Sequence, residues 1–219
     1  MKKADSVKAP IAKKAPHKTT IHQTTWTDDY FWMRLSDEQK EAKIKDDQTQ
    51  DVLDYLNAEN DYREDIMSDT KELQNTLYEE ITSRIEQRLE TPAVRKNGYE
   101  YRIKYEEEQD YPLYLRKSLS DGAQDEVMLN GPELAKEHAY FQIGGRAVSP
   151  DNKMLAYGVD TVSRRQYKIK FKSLETGETR DYSIENTTGN AVWANDNKTL
   201  FYTKKDPQTL RSNQVFRHE

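Results

Sequence analysis

Four histidines, His17, His22, His138 and His218, are the residues of this chain most versatile as metal ligands or acid–base groups. None stands in a His-Glu-x-x-His pattern or another paired metal-binding spacing. His138 follows Glu137 and reads as a partly exposed loop residue. Carboxylates are abundant, as in Glu106-Glu107-Glu108 and Asp28-Asp29. Acid–base catalysis needs carboxyl groups whose pKa values are driven apart by burial. Three glutamates at a hairpin tip read as solvated. Asp28 and Asp29, set inside an aromatic segment, read as partners for backbone or for a basic side chain. Nucleophilic hydrolysis on an α/β-hydrolase scaffold needs a serine within Gly-x-Ser-x-Gly, and none of the eight glycines flanks a serine in that way. Gly144-Gly145 lacks the following Lys-Ser or Lys-Thr of a phosphate loop and reads as a bend leading into a strand. Without cysteine there are no disulfides, thiolate metal sites or cysteine nucleophile. No catalytic, cofactor-binding or metal-binding residue is therefore assigned, and no cofactor is expected.

The scaffold around these residues is legible through a repeat. The phrase from Ala147 through Ser149-Pro150-Asp151-Asn152-Lys153 to Tyr157 returns from Ala191 through Asn195-Asp196-Asn197-Lys198 to Tyr202. Asp151 and Asp196 stand 45 residues apart, and a weaker copy, Lys96-Asn97-Gly98-Tyr99-Glu100-Tyr101, precedes both. Each copy is followed, 14 residues after its last tyrosine, by an apolar position: Leu115, Phe171, Phe216. A period in this range points to a propeller of four-stranded blades. Asp151 and Asp196 then read as turn formers rather than as ligands or catalytic groups.

Composition agrees with one-sided strands. Hydrophobic residues make up 34% and charged residues 33%, while 14 tyrosines supply buried ring area with a wet hydroxyl. The net charge of -5 gives no global field for nucleic acid, so no nucleic-acid partner is expected. No apolar run approaches the ~18 residues of a membrane helix, and no membrane partner is expected. The basic start, Met1 to Lys18, has six lysines without an apolar stretch after them, so it reads as a solvated tail rather than a secretory signal. A cytoplasmic location is expected, with export left open if a segment preceded Met1. The sequons Asn186-Thr187-Thr188 and Asn197-Lys198-Thr199 carry little weight without an export signal.

Along the chain, residues 1–25 read as irregular, with Pro10 and Pro16 blocking helix. Trp26, Tyr30, Phe31 and Trp32 form an aromatic anchor that should dock on a large surface. Ser36 with Gln39 predicts a capping box, and residues 50–67 a helix. Asp69, with Glu72, is expected to cap a second helix whose stripe is Leu73, Leu77, Ile81, Ile85 and Leu89, ended by Thr91-Pro92. From residue 93 the apolar period falls to two, and strands follow. A short helical piece is expected at Glu133–His138 and a strand near Thr179–Ile184. The fold class is α+β: an N-terminal helical extension at 1–90, then at 91–219 an incomplete β-propeller of two blades and part of a third.

Several segments carry a family resemblance: Asp28-Asp29-Tyr30-Phe31-Trp32-Met33-Arg34, Tyr55-Leu56-Asn57-Ala58-Glu59-Asn60, Leu77-Tyr78-Glu79-Glu80-Ile81, Val148-Ser149-Pro150-Asp151-Asn152, and Trp193 through Tyr202. The chain resembles the N-terminal part of the prolyl oligopeptidase family of serine peptidases (S9A), its oligopeptidase B members in particular. The resemblance implies a seven-bladed propeller that filters substrates by size above an α/β-hydrolase domain with a Ser-Asp-His triad. It implies that the helical extension packs on that domain, and that short peptides are cut after Arg or Lys. The triad and the acidic specificity residues have no counterparts among these 219 residues, so the chain alone is expected to be inactive and its partner to be the missing C-terminal hydrolase domain. The leading alternative is a stand-alone propeller-type binding module. A second polypeptide supplying the remaining blades and the triad is a further possibility.

Overall fold

A computed structural model describes residues 7–86 and 88–219; the first six residues of the basic start lie outside the described residues. The chain forms two compact units, Met1–Ile85 and Glu86–Glu219.

The first unit begins with a hairpin, β1 (His17–Ile21) against β2 (Thr24–Asp28), where an irregular segment is expected from the prolines. The threonines explain it: β-branched residues favour the pleated backbone. The turn residues His22 and Gln23 both have positive φ, the geometry of a tight hairpin, but neither is a glycine or asparagine, so the turn has no local signal. A 3-10 turn at Phe31–Met33 leads to α1 (Asp37–Glu41). The capping box is present: the Gln39 N–H donates to Ser36 Oγ at 3.2 Å, and the Ser36 N–H donates to Gln39 Oε1 at 2.8 Å. Asp46 caps α2 (Asp47–Met67) by accepting from the Thr49 N–H at 2.7 Å. A 3-10 turn at Ser68–Thr70 joins α2 to α3 (Lys71–Ser83).

Two expectations fail here. Asp69 does not cap α3: it lies inside the preceding 3-10 turn, and the N-cap position falls one residue later on Thr70, whose side chain makes no capping hydrogen bond. The helix also stops at Ser83, leaving Ile85 and Leu89 outside it. Sheet pairing competes with it: the Tyr105 N–H donates to the Leu89 carbonyl at 2.7 Å, Glu90 bridges to Lys104, and the Thr91 N–H donates to the Ile103 carbonyl at 2.9 Å.

The second unit is antiparallel sheet. Strands β3 (Val94–Lys96), β4 (Tyr99–Lys104), β5 (Leu113–Ser118) and β6 (Asp125–Asn130) form one blade in sequence order. Asn130 ends β6 and caps α4 (Gly131–Ala135) through the Glu133 N–H at 3.1 Å, which starts this helix earlier than the predicted Glu133–His138. Then come β7 (Gln142–Val148), β8 (Met154–Asp160), β9 (Tyr167–Ser173), β10 (Thr179–Trp193), β11 (Leu200–Lys205) and β12 (Ser212–His218), in the order β12-β11-β10-β9-β8-β7.

β10 is the informative strand. Its first half pairs with β9 through Ile184↔Ile169, and its second half pairs with β11 through Ala191↔Tyr202. It is the outer strand of the second blade and the inner strand of the third. The expected strand near Thr179–Ile184 and the third repeat starting at Ala191 are thus one continuous 15-residue strand. It bends where Asn186 and Gly189 take positive φ. There the backbones crowd: a Cβ on Gly158 would lie 2.5 Å from the Gly189 Cα, and one on Gly145 would lie 2.7 Å from the Gly189 carbonyl oxygen. Gly145 therefore sits inside β7 at this close approach, beside a register shift between Ile143 and Arg146, rather than in a bend before the strand.

Period-two alternation along β8 buries both faces of the second blade. Leu155, Tyr157 and Val159 pack into a cluster with Tyr114, Met128, Leu129 and Phe141 from the first blade and its following segment. Ala156 faces the other way, into a cluster with Ile169, Phe171, Ile184, Leu200 and Tyr202. A sheet covered on both faces by neighbouring sheets is what a blade inside a propeller requires. Leu115, Phe171 and Phe216, the apolar positions following each repeat, fall on the third strands β5, β9 and β12.

Candidate functional site

The repeated turns occupy one position per blade. Asn97, Asn152 and Asn197 each adopt positive φ, between 48° and 63°. Asparagine tolerates this left-handed region better than most side chains. Each turn also reaches its neighbour: Asn152 Nδ2 donates to the Asn97 carbonyl at 3.0 Å, and the Asp151 N–H donates to Asn197 Oδ1 at 2.8 Å. Arg116, buried on β5, donates to the Asn152 carbonyl at 2.7 Å and to Glu126 at 2.7 Å while its guanidinium stacks 4.5 Å from the Tyr99 ring. Trp193 Nε1 donates to the Ala147 carbonyl at 2.9 Å, tying the inner strands of the second and third blades.

Asp151 and Asp196 work inside these turns. Asp151 accepts from Ser149 Oγ at 2.6 Å, which with the Lys153 N–H lowers its pKa. Asp196 accepts from Thr199 Oγ1 at 2.6 Å and from the Thr199 and Lys198 N–H groups, and these bonds lower its pKa to about 2. Carboxylates committed to local donors are structural. The sequon residue Asn186 likewise sits at a positive-φ position of a bent strand, as Asn197 sits in its turn.

The other titratable candidates do not converge. Glu106 pairs with Lys104 at 2.7 Å and Glu107 with Arg88 at 2.8 Å on the exposed tip between β4 and β5. Asp28 accepts from the Tyr30 N–H at 2.8 Å, and Asp29 lies 3.7 Å from Lys14, so these two carboxylates serve backbone and base respectively. His17 stacks on Phe31 at 3.9 Å, His138 on Phe141 at 5.7 Å and His218 on Phe171 at 5.8 Å. Among the described residues no three His, Asp or Glu side chains are grouped to hold a metal ion. No helix among them is long and apolar enough to cross a membrane.

Three surface features remain. The aromatic anchor is partly satisfied within its own unit: Trp32 Nε1 donates to the Lys13 carbonyl at 2.9 Å, the ring meets Tyr55 edge-on at 6.4 Å, and the Trp32 carbonyl accepts from Gln48 Nε2 at 2.8 Å. Trp26 and Tyr30 stay 46% and 44% exposed. On α3, Leu73, Leu77 and Ile81 recur every four residues and are 57%, 45% and 60% exposed, an apolar face without cover.

The third feature, which the sequence did not signal, is a pair of grooves on the propeller unit. One, of about 280 Å³, is lined by Val94, Ile103, Tyr114 and Met128; the other, of about 440 Å³, crosses β3, β7 and β10. Lys96, Asn97, Arg146 and Val148 line both. They come from strands 50 residues apart, so no local motif could announce them.

Comparison with known proteins places this geometry. Residues 10–219 match the family model described as prolyl oligopeptidase, N-terminal beta-propeller domain. The chain is 36% identical to dipeptidyl aminopeptidase BI of Pseudoxanthomonas mexicana over 98% of its own length and 30% of that protein's. It is 30% identical to protease 2 of Moraxella lacunata over 97% of its own length, again covering 30% of the relative. Among solved structures, oligopeptidase B of Leishmania major superposes with a TM-score of 0.81 at 26% identity, covering 97% of this chain and 31% of that one. Oligopeptidase B of Trypanosoma brucei, with covalently bound antipain, gives 0.78 at 26% identity, covering 96% and 30%. The chain thus spans about 30% of the length of the curated relatives it matches. The repeated asparagine turns, the strand shared between blades and this match over nearly the whole chain make it a member of the prolyl oligopeptidase (S9) family, of which it is the N-terminal, propeller-containing part.

Proposed function

We propose that these 219 residues serve as lid and docking element of a serine peptidase, with catalysis supplied by an α/β-hydrolase domain outside them. The observation that carries this reading is the uncovered face of α3. Three branched apolar side chains in a row, each about half exposed, are costly to leave in water and need an apolar partner. The hydrolase domain is that partner, the blades form part of the gate above it, and no catalytic residue lies in this chain. The substrates are short peptides cut after Arg or Lys, supported by the likeness to two oligopeptidase B structures. The name of the 36%-identical relative favours a second reading of specificity, removal of dipeptides from peptide N-termini.

The experiment is complementation. The C-terminal part of the Moraxella relative is produced separately, mixed with this chain, and assayed on internally blocked Arg-linked and free-N-terminal dipeptide substrates. The proposal expects the mixture to exceed either part, and a Leu77→Asp/Ile81→Asp variant to lose the gain. A mixture no better than the catalytic part alone, with both parts folded, contradicts it. Preference between the two substrates decides between the two specificities.

A further inference from the structure

We propose that Lys96 and Arg146 form a subsite for the C-terminal carboxylate of a peptide, with the last side chain seated in the adjoining apolar groove. The proposal rests on the peptidase reading above.

The chain carries five more acidic than basic residues, yet the larger groove has two cations and no carboxylate in its wall. The neighbouring cations are neutralised. Arg95, next in β3, pairs with Glu100 at 2.8 Å, and Arg102 pairs with Glu90 at 2.6 Å and with Asp125. Lys96 and Arg146 have no ion-pair partner among the described residues. Alternation along β3 turns Lys96 away from the Arg95–Glu100 pair and toward the groove. The Arg146 guanidinium is held 4.1 Å over the Tyr114 ring, interacts with the Tyr114 side chain, and donates a long hydrogen bond, 3.4 Å, to the Gly144 carbonyl. Stacking orients the planar fork while leaving most of its N–H donors uncommitted, the arrangement suited to a bidentate carboxylate.

The surroundings select a peptide rather than a bare anion. Asn97 and Asn195 line the same groove and offer amide groups to a peptide backbone. Val94, Ile103 and Met128 line the groove of about 280 Å³ that shares these two cations, which gives an apolar terminal side chain a place to go. The cations stand where the two grooves meet, so the carboxylate and the last side chain are received at one point.

The test uses N-acetylated tripeptides ending in leucine, as free acid and as amide, titrated into this chain and followed by calorimetry. Losing a bond to a charged group costs on the order of tenfold in affinity or more, so the acid should bind about tenfold more tightly than the amide. Lys96→Ala removes an exposed side chain without a partner and should reduce that preference while the circular dichroism spectrum stays unchanged. Arg146→Gln should abolish it, and Lys198→Ala, outside both grooves, should keep it. Equal binding of acid and amide, no binding to the folded chain at millimolar peptide, or a preference untouched by Lys96→Ala overturns the proposal. Acetate competing as well as the acid peptide at equal concentration overturns the assignment to peptides. Because no turnover is needed, failure here leaves the complementation result intact, and failed complementation leaves this binding measurable.

Discussion

Replacing Gly158 with alanine tests how adjoining blades share strand β10. A Cβ there would lie 2.5 Å from both the Cα and the carbonyl oxygen of Gly189, and 2.9 Å from its carbonyl carbon. These are backbone atoms at the bend of β10, inside the register shift between Thr187 and Ala191, so no side chain can rotate away and the backbone itself must move. Overpacking of this kind costs about 1–3 kcal/mol, and rigid backbone on the opposing side puts Gly158→Ala near the top of that range. Gly177 is the control. Its φ is +80°, but nothing lies within 4 Å of the added Cβ, so Gly177→Ala carries only the left-handed backbone penalty of about 1 kcal/mol. Thermal melts followed in the β-sheet band of circular dichroism should show Gly158→Ala lowered by about 6–12 °C and Gly177→Ala by about 2–4 °C. The reasoning fails if Gly158→Ala melts with the parent, or if Gly177→Ala is the more damaging of the two.

Two further outcomes follow from the same geometry. Asp196 has its folded-state pKa lowered to about 2 from an ordinary value of 3.8, so its contribution is present above about pH 4 and is lost as pH falls toward 2. Asp196→Asn should therefore be less stable than the parent at pH 7 and 5, with the gap closing between pH 4 and 2; a gap that widens on acidification contradicts this, as read from urea midpoints at each pH. The exposed Leu73–Leu77–Ile81 face should make the 219-residue chain self-associate at tens of micromolar, and Leu77→Asp/Ile81→Asp should shift light scattering toward the monomer. A monodisperse monomer of the unmodified chain at that concentration refutes the exposed face as an unmet docking surface.

Local chemistry explains what was legible in the sequence. Turn formation at Asn97, Asn152 and Asn197 depends on a few adjacent residues, so the repeat alone marks two blades and part of a third. Alternation of Leu155, Tyr157 and Val159 similarly located a central strand. The Ser36–Gln39 capping box is short-range and was found in place. What escaped depends on distant partners. Helix α3 ends at Ser83 because Leu89 to Thr91 pair with β4 and the residue following it, a competition invisible in the helical period alone. β10 runs unbroken because it has two different neighbours, β9 and β11, along its length. The β1–β2 hairpin turns on His22 and Gln23, whose side chains give no hint of positive φ. The shared groove lined by Lys96 and Arg146 needs the blades already assembled.

The most direct test of a lid without its own catalytic residues is labelling of the purified chain by a fluorophosphonate, which reacts with activated serines, alongside turnover of Arg- and Lys-linked peptides. No label and no turnover are expected from the folded chain alone. Stoichiometric labelling of one of its serines, accompanied by peptide cleavage that the same reagent abolishes, would contradict it.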